Sequence, residues 1–333
     1  MPENLAWELD GRLPVWACDG SQPGSRDRRA SAAVRSVLDE YGLVLLRGFD
    51  LSAEQVLRWV SDLCGGWGYT KLAPSGCDEN PYRVFTSEFD WNMHERHQLK
   101  KFGEKRGGTT KSRGIRIGLH TEQSHEPFIP AWIWFFVAKA ADHGGETVLC
   151  DGESVVSGLS DTAFSVLADD IMYLRRSSTA PQPTEPQVVS DPPGTDRRYR
   201  RQIVEQPDGF FETAALARPI IHSRVGGHRV FANRILASLL EEHDDDGGRL
   251  GEKIIRVRTR ERKPLPDNLI RELRDVTSSL SFSLLLREKE ILWLDNTRFL
   301  HGREAYTGPR YVTVHRRFHR SQLSSSPDFA WAR

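Results

Sequence analysis

The sequence is short of cysteine, of net charge and of long apolar segments. Its four cysteines form no Cys-x-x-Cys pair, so neither a zinc knuckle nor a disulfide framework is indicated, and we expect reduced thiols at Cys18, Cys64, Cys77 and Cys150. The 46 basic residues balance 46 acidic ones, which argues against a general nucleic-acid or membrane-surface binder. No apolar run approaches the roughly 18 residues of a membrane span, and the amino terminus lacks a signal-peptide pattern. These absences favour a cytoplasmic protein.

The length and the periodicity of the chain predict one large domain. A chain of 333 residues suits a β domain with insertions, so we expect a single domain over residues 1–333. Helical spacing of apolar residues predicts helices in "RRASAAVRSVLDEYG" and "LSAEQVLRWVSDLCGG"; Gly42 ends the first, and Ser52 with Gln55 has capping-box spacing at the second. From about residue 83, short aromatic or β-branched runs such as "IRIGLH", "AWIWFFVAKA" and "ETVLCD" predict strands.

The second half of the chain contains a long insertion and a return to strands. Residues 152–275 carry predicted helices around 154–168 and 233–242 and a proline-rich stretch, which indicates a lid or flank. After it, "SLSFSLLLREKEILWLDN" predicts a hairpin that turns at residues 287–290, and "GPRYVTVHRRF" predicts a last strand.

A histidine and an acid stand two residues apart in "GLHTEQSHEP", residues 118–127. Chance alone predicts roughly one or two His-x-acid matches in such a chain. There are two, and the other, His243-Asp244-Asp245, lies in "EEHDDDGGR", which is typical of a solvated turn. The spacing alone therefore does not identify a site.

Strand alternation adds a geometric argument. If "IRIGLHTE" is a strand, His120 and Glu122 point to the same face, as two ligands of one metal ion must. His301, in "WLDNTRFLHGR", is the best candidate for a third ligand, and two histidines with one carboxylate are the ligand set of non-haem Fe(II) oxygenases. His125 is predicted to be a pocket or surface histidine rather than a ligand. The same ligands also suit catalytic zinc in a hydrolase, or a metal-bound sensor without activity, and both alternatives stay open.

The sequence resembles the TauD/TfdA (taurine dioxygenase- and clavaminate synthase-like) family of Fe(II)/2-oxoglutarate-dependent dioxygenases. The resemblance spans most of the chain and rests on four segments: "LHTEQSHEP", "IWFFVAKAADHGGETVLCDG", "ILWLDNTRFLHGR" and "GPRYVTVHRR". It implies a mainly β fold, the double-stranded β-helix or jelly roll, in which two facing sheets hold a metal at one open end and helices pack outside.

The resemblance also implies roles for particular residues. Fe(II) would bind His120, Glu122 and His301, while Thr147, in Gly144-Gly145-Glu146-Thr147, would contribute a hydroxyl to 2-oxoglutarate. Two arginines share a predicted face of the last strand. His315 is predicted to alternate away from that face as a structural histidine, and Arg303 is predicted to lie in the loop before the strand. We assign Arg310 to the far carboxylate of 2-oxoglutarate and Arg316 to an acid group of the substrate, with an exchange of the two roles left open.

The implied reaction consumes O2 and 2-oxoglutarate and releases succinate and CO2. Because Glu122 occupies the position that related halogenases leave to a small residue, hydroxylation or desaturation is predicted and halogenation is not. Family analogy favours a small polar acid from a biosynthetic pathway, such as an amino acid or its derivative. The basic run "LKKFGEKRGGTTKSRGIR" is most simply a solvated loop; the alternative is a lid for an anionic substrate or a carrier protein.

Overall fold

The computed structural model describes residues 5–17, 28–48, 53–70, 82–84, 116–126, 129–178, 199–224, 226–244 and 255–319. Two packed β-sheets form the centre, and helices cover the outer face of the larger one. In this part of the chain, no helix is both long enough and apolar enough to cross a membrane.

The larger sheet, called here the major sheet, has the strand order β1-β2-β3-β17-β7-β20-β4, and β5 also pairs with β20. Most neighbours are antiparallel, but β2 and β3 are parallel. Its strands are β1 (Leu5–Glu8), β2 (Leu13–Ala17), β3 (Leu43–Arg47), β4 (Tyr69–Thr70), β5 (Tyr82–Val84), β7 (Trp132–Lys139), β17 (Ile291–Asp295) and β20 (Tyr311–His319).

The smaller sheet, called here the minor sheet, has the antiparallel order β16-β9-β18-β6. Strands β8 and β19 form a separate two-stranded antiparallel ribbon. The strands are β6 (Ile117–His120), β8 (His143–Gly144), β9 (Thr147–Asp151), β16 (Phe282–Leu284), β18 (Phe299–Arg303) and β19 (Tyr306–Thr307).

Strand β7 shows how the two faces of the major sheet are used. Its apolar side chains alternate, as the period of two in a strand requires. Ile133 and Phe135 join a core between the sheets that includes Leu149 of the minor sheet. Trp132 and Trp134 join a second core on the opposite face. A sheet buried on both faces explains why "AWIWFFVAKA" has no polar side.

Helices α1 (Arg28–Tyr41) and α2 (Ala53–Gly66) cover that second face. The predicted end of α1 is confirmed, since Gly42 donates its amide to the Leu38 carbonyl and has φ +74°, a left-handed conformation that suits glycine. Ser52, the predicted cap of α2, lies outside the described residues.

The segment between β9 and β16, called here the insertion, separates two strands that are neighbours in the minor sheet. The helix predicted around residues 154–168 is two helices, and Ser160 caps the second by accepting a hydrogen bond from Ala163 N at 3.2 Å. The insertion contains α3 (Gly152–Gly158), α4 (Asp161–Leu167), β10 (Ile171–Ser177), β11 (Tyr199–Glu205), β12 (Phe211–Ala217), β13 (Ile220–His222), β14 (Arg229–Phe231), α5 (Ile235–Asp244), β15 (Ile255–Thr259) and α6 (Asp267–Leu280).

Strands β11-β12-β10-β15 form a separate sheet inside this insertion. It shares a core with the helices of the insertion and with Cys150 and Leu300 of the minor sheet. The description of the chain as one domain with an inserted lid remains a prediction.

The hairpin predicted at residues 287–290 is wrong in its pairing. A turn does form there, with Glu290 N donating to the Arg287 carbonyl. However, β16 before it pairs with β9, and β17 after it pairs with β3 and β7. The turn therefore carries the chain from one sheet to the other, because each strand finds its partners elsewhere in the chain.

Candidate metal centre

Three of the predicted ligands meet between the sheets. One donor atom from each of His120, Glu122 and His301 lies within 4.8 Å of the other two. His120 and His301 are direct partners across β6 and β18, with ring centroids 4.4 Å apart. The sheet register thus sets the two imidazoles side by side.

Glu122 reaches the cluster by a route that strand alternation did not predict. Strand β6 ends at His120, so the expectation of a strand through Glu122 is wrong. The chain turns over residues 121–126, with Ser124 N donating to the Thr121 carbonyl and Glu126 N to the Gln123 carbonyl. The turn leaves Glu122 Oε2 3.6 Å from His120 Nε2.

The His120 ring is oriented by its own strand. Its Nδ1 lies 2.9 Å from the Gly118 carbonyl oxygen, which can only accept a hydrogen bond. Nδ1 therefore donates to this oxygen, and Nε2 is the ring nitrogen that faces Glu122, as in a metal-ligating histidine.

His301 is held in its neutral form. Burial, with a smaller contribution from nearby His120, lowers the pKa of His301 to about 3, although the Glu122 carboxylate acts in the opposite direction. A neutral imidazole is the form that binds a metal ion. Two histidines and one carboxylate in one cluster, with Glu122 and His301 buried and His120 partly buried, fit a divalent cation.

Arg316 lies beside the cluster on the inner face of β20. It pairs with Ile133 across β7 and is only 1% exposed, and its Nη1 lies 3.5 Å from Glu122 Oε1. The next residue back, His315, faces the other way and stacks on Trp134, with centroids 3.7 Å apart. The predicted alternation of His315 and Arg316 is therefore what the structure has.

Arg310 lies immediately before β20 rather than at its first position, a small correction. It is buried, and its Nη2 lies 3.4 Å from the Gly145 carbonyl oxygen. Burial lowers the pKa of Arg310 to about 10, and the nearby Arg303 guanidinium acts in the same direction. No described carboxylate forms an ion pair with Arg310, so the charge of its guanidinium is available to an anionic ligand.

Gly145 and Thr147 line the same corner. A Cβ at Gly145 would lie 3.2 Å from Arg310 Nε, and φ there is +80°, so glycine allows the guanidinium to approach the main chain. Thr147 is the first residue of β9 and is buried. It faces Arg303 across the sheet, while His301 faces Leu149 two residues further along.

Arg303 belongs to this corner as well. The sequence placed it in a loop, but it is the last residue of β18. Its guanidinium lies over the Tyr306 ring, 4.7 Å from the centroid, and that of Arg310 lies 5.5 Å from the same centroid. Two arginines thus share one aromatic ring near Thr147.

Sequence reasoning missed Asn296. Its side chain is fully buried and bonds to the main chain of Glu122 and Pro130. A signal was present in the sequence, because a buried Asp-Asn pair that directly follows the apolar run "ILWL" must find hydrogen-bond partners.

The fold and this ligand set define a jelly-roll protein with a two-histidine, one-carboxylate metal centre. Residues 12–320 match the family described as taurine catabolism dioxygenase TauD, TfdA family. The chain therefore belongs to that family, and the predicted family, jelly-roll fold and 2-oxoglutarate-dependent dioxygenase class are confirmed.

Several solved structures share the fold at 12% sequence identity. AAD-2, in complex with Mn(II) and N-oxalylglycine, has a TM-score of 0.54 over 93% of this chain and 94% of its own. PvcB from Pseudomonas aeruginosa has a TM-score of 0.52 over 95% and 92%. A putative alpha-ketoglutarate dependent 2,4-D dioxygenase from Burkholderia xenovorans has a TM-score of 0.52 over 95% and 98%. No curated protein sequence matches the chain.

Proposed function

We propose that the protein is an oxygenase that holds Fe(II) on His120, Glu122 and His301 and uses 2-oxoglutarate and O2 to oxidise a small polar acid. The single observation that carries the proposal is the convergence of these three side chains in one cluster, of which Glu122 and His301 are buried. When bound, the iron with its cosubstrate supplies an oxidant able to attack an unactivated carbon, with release of succinate and CO2.

The protein's own contribution is to prepare the ligands and exclude water. The hydrogen bond from His120 Nδ1 to the Gly118 carbonyl fixes the orientation of that ring, and burial favours the neutral, metal-binding form of His301. Exclusion of water protects the oxidant from side reactions.

The cosubstrate's far carboxylate is assigned to Arg310 and Thr147. The β18–β9 register sets Thr147 two residues from the position opposite His301, and opposite residues share a face. Two residues of a strand span about 7 Å, a distance that suits a five-carbon dicarboxylate with one end at the metal. The carboxylate at the other end, away from the metal, would then bind the Arg310 guanidinium, which forms no ion pair with a described carboxylate.

Arg316 is assigned to an acid group of the substrate. Its guanidinium lies next to Glu122, at the metal, where the group to be oxidised must also come. This contact supports the predicted division between Arg310 and Arg316. A small-molecule substrate suits the family, whereas a carrier-bound form depends on the basic run before β6, of which only Arg116 lies within the described residues.

The remaining parts of the proposal concern the outcome and the location. Glu122 supports hydroxylation or desaturation, because the carboxylate occupies the coordination position that a halide would need. Cys64 and Cys150 are free thiols, which supports a reducing compartment such as the cytoplasm.

The test is an anaerobic visible spectrum of the apoprotein on addition of Fe(II) and then 2-oxoglutarate. We expect a weak metal-to-ligand charge-transfer band that requires both additions and is absent in His301→Ala and weakened in Arg310→Ala. No band, together with tightly retained zinc, would overturn the proposal and favour a hydrolase.

A metal-bound sensor without activity is the remaining alternative. Slow conversion of 2-oxoglutarate to succinate in the absence of substrate, lost in Glu122→Ala, would exclude it.

A further inference from the structure

We infer that Asn296 is a positioning residue of the metal centre, one that fixes the main chain of Glu122 so that its carboxylate faces the two histidines. The inference rests on the proposed metal site. It is carried by the hydrogen bonds of one buried side-chain amide, which tie the residue directly after β17 of the major sheet to the turn that follows β6 of the minor sheet.

The Asn296 amide is almost wholly used on this contact. Its Oδ1 accepts from Glu122 N at 2.9 Å, and its Nδ2 donates to the Glu122 carbonyl at 3.2 Å and to the Pro130 carbonyl at 2.9 Å. The side chain therefore holds Glu122 on both sides of its Cα, and both amide hydrogens are engaged.

The hydrogen bonds from Asn296, called here the clamp, are needed because Glu122 lies beyond the end of β6 and is not fixed by strand pairing. Strand pairing ends at His120, and Gln123, directly after Glu122, has φ +57°, a left-handed conformation that is unfavourable for a residue with a side chain. The other main-chain hydrogen bonds of the turn are made by its neighbours Thr121, Ser124 and Glu126, so loss of the Asn296 bonds should let Glu122 itself shift away from His120.

Asn296 is itself well anchored. Its main-chain nitrogen donates to the Ala131 carbonyl at 3.0 Å, and the main-chain nitrogen of Asp295 donates to the Gly42 carbonyl at 2.6 Å. The Asp295 carboxylate then accepts from Thr297 N at 2.8 Å and from Thr297 Oγ1 at 2.6 Å. Asn296 is therefore held by the major sheet, and it in turn holds Glu122, a ligand that no strand pairing of the minor sheet fixes.

The experiment measures metal affinity and stability separately, with Co(II) added to the full-length apoprotein. Asn296→Ala removes the clamp, and Asn296→Ser keeps a short hydroxyl and serves if the alanine variant does not fold. We expect Co(II) affinity to fall about 10- to 100-fold in Asn296→Ala, as is usual when a residue that orients a metal ligand is lost, and less in Asn296→Ser. The visible bands of the Co(II)-saturated variants should also differ from those of the wild type.

Leu269→Ala is the matched control, because Leu269 is a buried α6 residue in the core of the insertion. It should lower Tm to a similar degree yet leave Co(II) affinity within about threefold and the spectrum unchanged. Wild-type affinity and spectrum in the Asn296 variants, at a lowered Tm, would reduce Asn296 to a structural role and overturn the inference. Equal Co(II) binding by wild type and Glu122→Ala would instead overturn the proposed metal site, and the inference with it.

Discussion

The two sheets make different contributions to the site. The minor sheet supplies two histidines, side by side on β6 and β18, one oriented by a hydrogen bond and the other buried. The major sheet supplies cations instead, with Arg316 on β20 and Arg310 just before it. Glu122 lies where they meet, 3.6 Å from His120 and 3.5 Å from Arg316. The arrangement indicates that metal binding and anion binding are separable, with Glu122 linked to both.

The largest expected effect is on the minor sheet's side. Glu122→Ala and His301→Ala should abolish turnover, a loss of roughly a thousandfold or more, because removal of one of three ligands leaves the metal poorly held. Turnover and bound iron should be measured together, with circular dichroism to show that the fold is kept. Wild-type activity in Glu122→Ala would remove Glu122 from the mechanism.

The second effect belongs to the major sheet. Arg310→Met should raise the KM for 2-oxoglutarate by about 10- to 100-fold, the loss of a charge-assisted hydrogen bond worth about 1.5–3 kcal/mol, without change in Co(II) affinity. Arg303→Met, beside the same tyrosine ring, should have a smaller effect. A parallel loss of metal affinity in Arg310→Met would show that the two sheets do not act separately.

A third, intermediate effect concerns the outer edge of the minor sheet. A Cβ at Gly118 would lie 2.8 Å from Ala237 Cα, so Gly118→Ala should push α5 from β6 and destabilise the fold by about 1–3 kcal/mol. Chemical unfolding measures the change, with Gly66→Ala as the control, since nothing lies within 4 Å of a Cβ there. Equal stabilities for the two variants would mean that α5 is not packed tightly on β6.

The smallest expected effect is a difference in reactivity between two buried thiols, Cys64 beside the major sheet and Cys150 in the minor sheet. Burial raises the pKa of Cys64 to about 12, in α2 against the major sheet, and that of Cys150 to about 11, in the minor sheet. At pH 8 the fraction of Cys150 present as the reactive thiolate should therefore be on the order of one in a thousand, and the fraction for Cys64 should be smaller still. We expect neither thiol to react with a disulfide reagent until the protein unfolds, as mass spectrometry of peptides can show. Rapid labelling of Cys150 in the native state would contradict its burial.

The sequence predicted what local patterns determine. The period of two correctly separated His315 from Arg316, and the apolar runs located β7, β9 and β17. It failed where a partner distant in the chain decides. Glu122 is aimed by Asn296 rather than by a strand, β16 and β17 pair with different sheets rather than with each other, and Arg303 is held in β18 by its pairing with Thr147. Such contacts leave no periodicity in the segment that they determine.

The direct pairing of His120 with His301 also has a consequence for biosynthesis. The ribosome releases His120 and Glu122 before the insertion, and His301 only after the whole insertion has emerged. A nascent chain therefore cannot complete the centre until β18 has been synthesised. Contacts between such distant residues also slow folding, so completion of the centre should be a late step of folding.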